Sequence, residues 1–217
     1  MPVGRLYEEY SSKEFRDLES YMLGLEAVPK WHSLGSLDGV DGFRMSRSKF
    51  SSEIPVIRYV IHFSPPIPAE FVLNMFGDPS FRTSWDSRVL QMNKIYLSEE
   101  NHFLHYHIVH FNAPLQDRDF LTRYYMRKVG KETRVVLKST KHKVGTRQEF
   151  PEVKDTVRAK TMMGMYRVIE GEEETTISMM MQINLYLALK AAEDMVPQFV
   201  LKWLAKYRAQ TIEHYNR

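Results

Sequence analysis

Residues 192–217, AEDMVPQFVLKWLAKYRAQTIEHYNR, decide the fold, because their apolar side chains recur at the spacing of a helix. Phe199, Trp203 and Tyr207 follow one another at intervals of four, and lysines lie between them. This spacing places the apolar side chains on one face and the charged side chains on the other. We therefore predict an amphipathic C-terminal helix that needs an apolar partner along one face.

The part of the chain before this helix, residues 89–186, alternates apolar and polar side chains with a period of two. Polar or glycine-containing breaks divide it into short runs, which predicts a long antiparallel meander. So many strands must cover one face of their sheet, and the C-terminal helix is the strongest amphipathic helix available for this. A sheet curled around that helix leaves a gap lined by apolar side chains, and such gaps bind apolar ligands.

The N-terminal part adds helices and strands to the same plan. Residues 12–28 place apolar side chains on one helical stripe, and two short alternating runs follow around Asp38-Gly39, a dipeptide that suits a tight reversal. A third strand and two helical pieces are predicted over residues 54–85. Because no repeat or linker interrupts the chain, we expect one α+β domain over residues 1–217.

Composition and charge exclude several functions. Thirty basic and 27 acidic side chains give a net charge of +3, too small an excess to predict nucleic-acid binding. The absence of cysteine excludes disulfides, thiolate metal sites and cysteine nucleophiles. The N-terminus has no apolar signal region, and no segment approaches the ~20 apolar residues that cross a bilayer. We expect a cytoplasmic protein.

Four histidines fall within residues 101–110, NHFLHYHIVH. On a strand His105 and His107 share one face while His102 and His110 share the other, so the four cannot bind one ion. His105 and His107 could supply two positions of a zinc site, but no acidic side chain lies at an obvious partner spacing. We predict no metal. Because histidine titrates near neutral pH, a second hypothesis is that acid loosens this strand.

Four stretches of the sequence, in this order, resemble the START family of lipid-transfer domains. Each stretch is short, but their order and spacing together are specific, and the similarity covers residues 31–217. The stretches are SFRTSWDSRVLQMNKI (80–95) with Trp85-Asp86, APLQDRDFLTRYYMRK (113–128) with Arg118-Asp119-Phe120, FPEVKDTVRAKTMMG (150–164) with Val157-Arg158-Ala159, and the C-terminal helix with Pro197.

The resemblance implies a helix-grip fold, in which a curved antiparallel sheet wraps around a long C-terminal helix and an internal hydrophobic cavity holds one lipid. It makes residues 31–217 the helix-grip core and residues 1–30 a preceding helical segment. It also implies no catalysis and no cofactor. The loop of residues 111–117 is expected to form a gate with the C-terminal helix. Apolar side chains on the two sides of this gate are Phe111, Pro114, Leu115, Phe199 and Val200.

The lipid class also follows from the family match. His105 lies where sterol-carrying members place an acid, and Tyr124 lies where many members place an inward arginine. These departures favour a phospholipid, such as phosphatidylcholine, over a sterol. The candidates for the cavity wall are His105, Tyr106, His107, Arg123, Tyr124, Met163, Met165, Met179, Met181 and Trp203.

Two points about these residues concern their orientation and role. The sequence leaves open which face of strand 101–110 turns inward, because its apolar residues favour one face and the family match of His105 favours the other. The charged and aromatic residues of the matched motifs are expected to be structural, since no nucleophile and no orienting base lies beside them. These structural residues are Trp85, Asp86, Arg118, Asp119 and Arg158.

The expected function is to bind a single lipid and to transfer it between membranes through the gate. Each methylene left in water costs about 0.8 kcal/mol, so a two-chain lipid needs nearly complete enclosure. The expected partners are the lipid, a phospholipid or a sterol, and transiently a membrane surface, with a monomeric protein peripheral to that membrane. Three alternatives stay open: a sterol carrier, a lipid sensor without transfer, and an enzyme of the helix-grip superfamily.

Overall fold

The computed structural model describes residues 12–46, 48–51, 53–97, 101–111, 115–140, 150, 153–187 and 190–217. These residues form four helices and ten strands, in agreement with the predicted α+β class. In chain order they are α1 (Ser12–Glu26), β1 (His32–Leu37), β2 (Val40–Met45), β3 (Val56–Phe63), α2 (Ala69–Gly77), α3 (Pro79–Trp85), β4 (Val89–Tyr96), β5 (His102–Val109), β6 (Asp117–Val129), β7 (Glu132–Ser139), β8 (Thr156–Arg158), β9 (Lys160–Glu170), β10 (Thr175–Asn184) and α4 (Lys190–Tyr215).

All ten strands belong to one sheet, whose order is β1-β2-β3-β10-β9-β7-β6-β5-β4. Neighbours along this path pair antiparallel, as predicted, and the N-terminal strands join the meander where β3 pairs with β10. Strand β8 lies off the path and pairs in parallel with the start of β6. The β1–β2 turn uses Asp38 and Gly39, both at positive φ (46° and 76°), as the sequence predicted for a tight hairpin.

One face of the sheet, the concave face, packs against α2, α3 and α4. A buried core joins strands β2, β3, β5, β6, β7, β9 and β10 to these three helices. Hydrogen bonds from two buried tyrosines hold α4 in place. Tyr207 of α4 donates its hydroxyl to Val72 O of α2 at 2.6 Å, and Tyr59 of β3 donates to Pro197 O of α4 at 2.8 Å. The predicted arrangement of a sheet with the C-terminal helix across one face is therefore confirmed.

The opposite face, the convex face, carries α1. Phe15, Leu18 and Met22 of α1 are buried against the sheet, at the helical spacing that the sequence shows. Glu19 is 1% exposed and binds Arg127 and Arg134 at 2.8 and 2.9 Å. Burial opposes ionisation of this carboxyl, but the hydrogen bonds from the two arginines outweigh it and lower its pKa.

Helix α4 begins at Lys190, two residues before the predicted stretch 192–217, and Pro197 lies inside it. A proline at this position lacks the N–H that would bind the preceding turn. The carbonyl oxygen of Pro197 accepts a hydrogen bond from the hydroxyl of Tyr59 of β3. Within the described residues, no helix has both the length and the apolar character that a membrane span requires.

Candidate functional site: a cavity between the concave face and the C-terminal helix

A cavity of about 250 Å³ lies between the concave face of the sheet, the ends of α2 and α3, and α4. For comparison, an apolar cavity of about 150 Å³ in a protein core is large enough to bind benzene. Most of the wall is apolar, from residues such as Ile57, Val109, Leu137 and Val196. The space is therefore suited to an apolar guest and is larger than a packing defect.

Eight of the residues predicted for the cavity and the gate border this space, although they come from distant parts of the sequence. The sheet contributes His105 and His107 from β5, Tyr124 from β6 and Met181 from β10, and α4 contributes Phe199, Val200 and Trp203. Phe111 lies two residues after β5. The structure thus settles the orientation of β5, since its odd-numbered residues turn toward the cavity.

Tyr106 and Arg123 were predicted to line the cavity, and the structure places both on the convex face instead. Strand alternation explains this correction, because each neighbours an inward residue on its own strand. The ring of Tyr106 packs on Phe150 with centroids 4.9 Å apart. Arg123 Nε donates to His102 Nδ1 at 3.3 Å.

Two of the four predicted methionines, Met163 and Met165, also lie on the convex face, in the core beneath α1. Met165 pairs with Met180 of β10, whereas Met179 and Met181 pair with Tyr166 and Gly164, so the two pairs of methionines lie on opposite faces of the sheet. Helix α1 provides the apolar cover of Met163 and Met165 that was expected from a lipid. Met179 is 2% exposed within the concave core but does not border the cavity. Of this methionine cluster, Met181 borders the cavity.

A charged cluster at one end of the cavity was not predicted as a binding feature. Arg82 of α3 borders the cavity and pairs with Asp86, with Nη2 and Oδ2 separated by 2.9 Å. Arg88 binds the other carboxylate oxygen at 3.2 Å, and Trp203 Nε1 donates to Oδ2 at 2.8 Å. Burial raises the pKa of Asp86, but the two arginines and these hydrogen bonds outweigh it and lower that pKa. The Arg82–Asp86 spacing of four residues was the sequence signal for this pair.

Aromatic rings surround the Arg82 guanidinium. Its central carbon lies 4.5 Å from the Trp203 ring centroid, 4.8 Å from that of Phe76 and 5.0 Å from that of Trp85. Trp85 and Trp203 stack with centroids 5.8 Å apart. Burial lowers the pKa of Arg82 while Asp86 opposes this, and the group stays protonated because arginine titrates far above neutral pH. The result is a cation that is paired with Asp86 and packed among aromatic rings beside the cavity.

The two inward histidines are neutral, and His105 is buried while His107 is half-buried. Burial lowers the pKa of His107 to about 3, with a further contribution from Arg82, and lowers the pKa of His105 well below its ordinary value. His105 Nε2 and His107 Nδ1 have no hydrogen-bond partner in the protein. The His107 ring stacks on Phe120, with centroids 4.8 Å apart and 7° between the planes. Both rings border the cavity, so a polar guest there is the candidate partner for these nitrogens.

Two of the predicted gate residues, Phe199 and Phe111, each contact an arginine. Arg88 lies over the ring of Phe199 at 4.8 Å, and Arg118 lies over the ring of Phe111 at 5.7 Å. Arg118 also donates to the carbonyl oxygen of Leu185 at 2.7 Å, which links the start of β6 to the segment before α4. Leu115 is half-buried and does not border the cavity, and Pro114 lies outside the described residues.

The remaining residues of the matched motifs hold strands and helices together. Asp119 is fully buried, and its Oδ2 accepts from Arg158 Nε at 2.7 Å, which joins β8 to β6. Trp85 is buried and donates its indole N–H to Met75 O at 2.9 Å, which joins α3 to α2. Across the described part of the chain, no three His, Asp or Glu side chains converge in a group that could hold a metal ion.

Comparison with known proteins gave one family and several structures. Residues 21–211 match the START domain. The crystal structure of human STARD10 has a TM-score of 0.79 at 21% identity, covering 99% of this chain and 85% of that chain. Human StAR-related lipid transfer protein 5 has a TM-score of 0.79 at 14% identity, covering 94% and 97%. The lipid transfer and protein localization domain of human StarD13 (DLC2) has a TM-score of 0.70 at 17% identity, covering 93% and 98%. Comparison with curated protein sequences gave no match.

Proposed function

The chain belongs to the START domain family, a family of lipid-binding and lipid-transfer domains, and from this premise we propose that it carries one phospholipid between membranes in the cavity beneath α4. The observation that supports a phospholipid most directly is that two arginines, Arg82 and Arg88, border the mainly apolar cavity and share one carboxylate, that of Asp86. A lipid with a phosphate brings a negative charge to this group and leaves its acyl chains for the apolar remainder of the space.

The charges at this end of the cavity sum to one positive charge, because Arg82 and Arg88 face the single carboxylate of Asp86. A phosphodiester carries one negative charge and accepts hydrogen bonds from a guanidinium in the geometry that arginine favours. An uncharged sterol hydroxyl leaves that positive charge uncompensated, and burying an uncompensated charge is costly. The cluster therefore favours a phospholipid over a sterol, and phosphatidylcholine, the ligand expected from the sequence, is the first one to test.

The apolar part of the wall supports enclosure of the chains. Every methylene that moves from water into the cavity contributes about 0.8 kcal/mol, so the two chains of a phospholipid supply most of the binding energy. Tyr124, Met181 and Trp203 would contact these chains and the glycerol region. Such a carrier needs no chemical change of its lipid, so we propose a transport role and no catalysis.

The proposed gate lies between the 111–117 loop and α4, where Phe111, Phe199 and Val200 border the cavity. Phe199 is 44% exposed, and Met195, one turn before it on α4, is 71% exposed. Apolar side chains exposed beside a cavity mouth can insert into the surface of a bilayer. We propose that this contact opens the gate, and that the protein works as a monomer at the cytoplasmic surface of membranes, with residues 1–217 as one lipid-binding domain.

Transfer of a fluorescent phosphatidylcholine between two populations of vesicles tests this proposal. The wild-type protein is expected to raise the transfer rate in proportion to its concentration. Phe199→Asp is expected to reduce the rate at least about fivefold, because a carboxylate resists insertion into the bilayer. Tyr96→Asp is the matched control, since Tyr96 is an aromatic residue 75% exposed at the end of β4 and is expected to have no effect.

Other outcomes identify the alternatives. A protein that retains a lipid but does not raise the transfer rate is a sensor, and one that transfers cholesterol but no phospholipid is a sterol carrier. Mass spectrometry of the lipid recovered after incubation detects an enzyme by an altered product. Each of these results contradicts the proposed phospholipid transfer.

A further inference from the structure

We propose that the cavity selects a phospholipid whose headgroup is uncharged and carries hydroxyl groups, such as inositol or glycerol, over one with a cationic choline headgroup. This inference rests on the proposed function, because it assigns a headgroup class to the same site. The observations that carry it are the two unpartnered histidine nitrogens and the charges that surround the polar end of the cavity.

The histidines call for a guest that forms hydrogen bonds. His105 is 3% exposed and borders the cavity, yet its Nε2 has no partner in the protein, and the same holds for Nδ1 of His107. A neutral imidazole has one nitrogen that donates and one that accepts. A hydroxyl group can pair with either nitrogen because it both donates and accepts hydrogen bonds. The quaternary ammonium of choline has no N–H and no lone pair, so it can pair with neither.

The charged groups around the cavity disfavour a cationic headgroup beside the two histidines. Among the described residues that border the cavity, none carries a carboxylate side chain. Asp86 lies behind the wall and already binds Arg82, Arg88 and Trp203. Once the phosphate of the lipid has compensated the excess charge of the arginines, a choline headgroup would add a positive charge that has no acidic partner.

The aromatic faces nearest to this charge are already in use. A quaternary ammonium can bind to the faces of aromatic rings without any hydrogen bond. Here the rings of Trp203 and Phe76 lie against the Arg82 guanidinium, and the ring of Phe199 lies against Arg88. The face of Phe120 that meets His107 is covered by the imidazole ring. A second cation at these rings would compete with the arginines.

The phosphate and the headgroup thus have separate partners. The single excess positive charge of the Arg82, Asp86 and Arg88 cluster is compensated by one phosphodiester. The two histidine nitrogens then remain for groups beyond the phosphate, and hydroxyl groups satisfy them without adding charge. A headgroup that leaves these nitrogens unpaired loses affinity, because a buried polar group without a partner is unfavourable.

Competition between lipids tests the inference. The purified protein is incubated with vesicles that contain equal amounts of dioleoyl phosphatidylcholine, phosphatidylethanolamine, phosphatidylglycerol and phosphatidylinositol, and the lipid that it retains is identified by mass spectrometry. We expect phosphatidylinositol or phosphatidylglycerol to be enriched at least about tenfold over phosphatidylcholine, a factor typical of one buried hydrogen bond. The double variant His105→Phe/His107→Phe keeps both rings but no nitrogens, and its enrichment is expected to fall to about twofold or less.

His32→Phe is the matched control, because His32 is exposed on β1 and away from the cavity, and it is expected to retain the wild-type enrichment. Retention of phosphatidylcholine or phosphatidylethanolamine as the main lipid overturns the headgroup inference and leaves the phospholipid carrier intact. Retention of no phospholipid overturns the proposed function itself. The wild-type competition needs no variant, so it decides the inference even if the double variant does not fold.

Discussion

Trp203 of α4 donates its indole N–H to Oδ2 of Asp86, 2.8 Å away, and so ties the C-terminal helix to the residue that follows α3. The same carboxylate binds Arg82, whose guanidinium borders the cavity. The position of α4 and the polar end of the cavity are therefore coupled through one side chain. A helix that moves to admit a lipid must break this hydrogen bond or move together with α3.

Removal of this hydrogen bond is expected to loosen α4. Trp203→Phe keeps an aromatic ring but loses the N–H, and the free energy of unfolding in urea should fall by about 1.5–3 kcal/mol, the contribution of a hydrogen bond to a charged group. Lipid transfer between vesicles should become faster if α4 forms the gate. Trp31→Phe is the control, because Trp31 donates to Leu25 O at 3.1 Å beside α1 and should lower stability without changing transfer. Unchanged stability of the Trp203 variant would contradict this role.

The Arg82–Asp86 pair allows its structural role to be separated from its role in binding. Arg82→Gln should lower the free energy of unfolding by about 3 kcal/mol or more, because it removes one partner from a buried pair. The double variant Arg82→Gln/Asp86→Asn removes both charges and should recover part of that loss. Neither variant should retain phospholipid in a pull-down from vesicles. Phospholipid bound at the wild-type level by the stable double variant would refute the assignment of the phosphate to Arg82.

Stability should depend on pH through the buried histidines. Burial, with Arg123 nearby, lowers the pKa of His102 to about 4, whereas the unfolded chain binds this proton near pH 6.5. Between these values the unfolded state binds more protons, so the stability is fully present above about pH 6.5 and decreases as the pH falls toward 4. We expect a loss of about 2 kcal/mol from His102 between pH 7 and pH 4.5.

The measurement is urea unfolding across this pH range. His102→Gln should show a shallower dependence than the wild type, and His32→Gln, at an exposed position, should show the wild-type dependence. Equal slopes for all three proteins would mean that His102 is not held neutral. Lipid release measured over the same range tests the hypothesis that acid loosens β5, and a pH-independent rate would exclude it.

Gly164 keeps the cavity wall open. A Cβ atom added there would lie 2.7 Å from Cγ of Leu137, which itself borders the cavity. Gly164→Val should therefore lower the free energy of unfolding by about 1–3 kcal/mol through overpacking, or push Leu137 into the cavity and reduce the retained lipid. Gly24→Ala is the control, because no atom beyond its own stretch of helix lies within 4 Å of its added Cβ and alanine favours the helix α1. A Gly164→Val protein with full stability and full lipid retention would contradict the packing described here.

The elements of the fold could be predicted because their signals are local. Phe15, Leu18 and Met22 recur at helical spacing and lie buried on α1, and Asp38-Gly39 forms the predicted hairpin turn. The inward face of β5 could not be predicted, because both faces are covered. Leu104 is 0% exposed on the convex face and His105 is 3% exposed on the concave face, so burial does not separate them.

The residues of the site could be predicted only in part, because several of them are placed by contacts with distant parts of the chain. The burial of Arg82 depends on Trp203, which also binds Asp86 from 117 positions later in the sequence, so the stretch SFRTSWDS does not reveal that its arginine faces a cavity. Met163 and Met165 look like cavity residues by composition, but α1 covers them. Both the burial of Arg82 and the position of the two methionines depend on packing between residues far apart in the sequence. The periodicity within one strand carries no information about that packing.

The measurement that tests the central claim most directly is the mass of the intact protein under native conditions, after incubation with phospholipid vesicles and re-isolation. The account predicts a complex of one chain with one phospholipid, and the loss of that complex in Met181→Trp, a variant in which a larger side chain fills the cavity. A folded wild-type protein that emerges without lipid, or a Met181→Trp protein that loads as fully as the wild type, would contradict it.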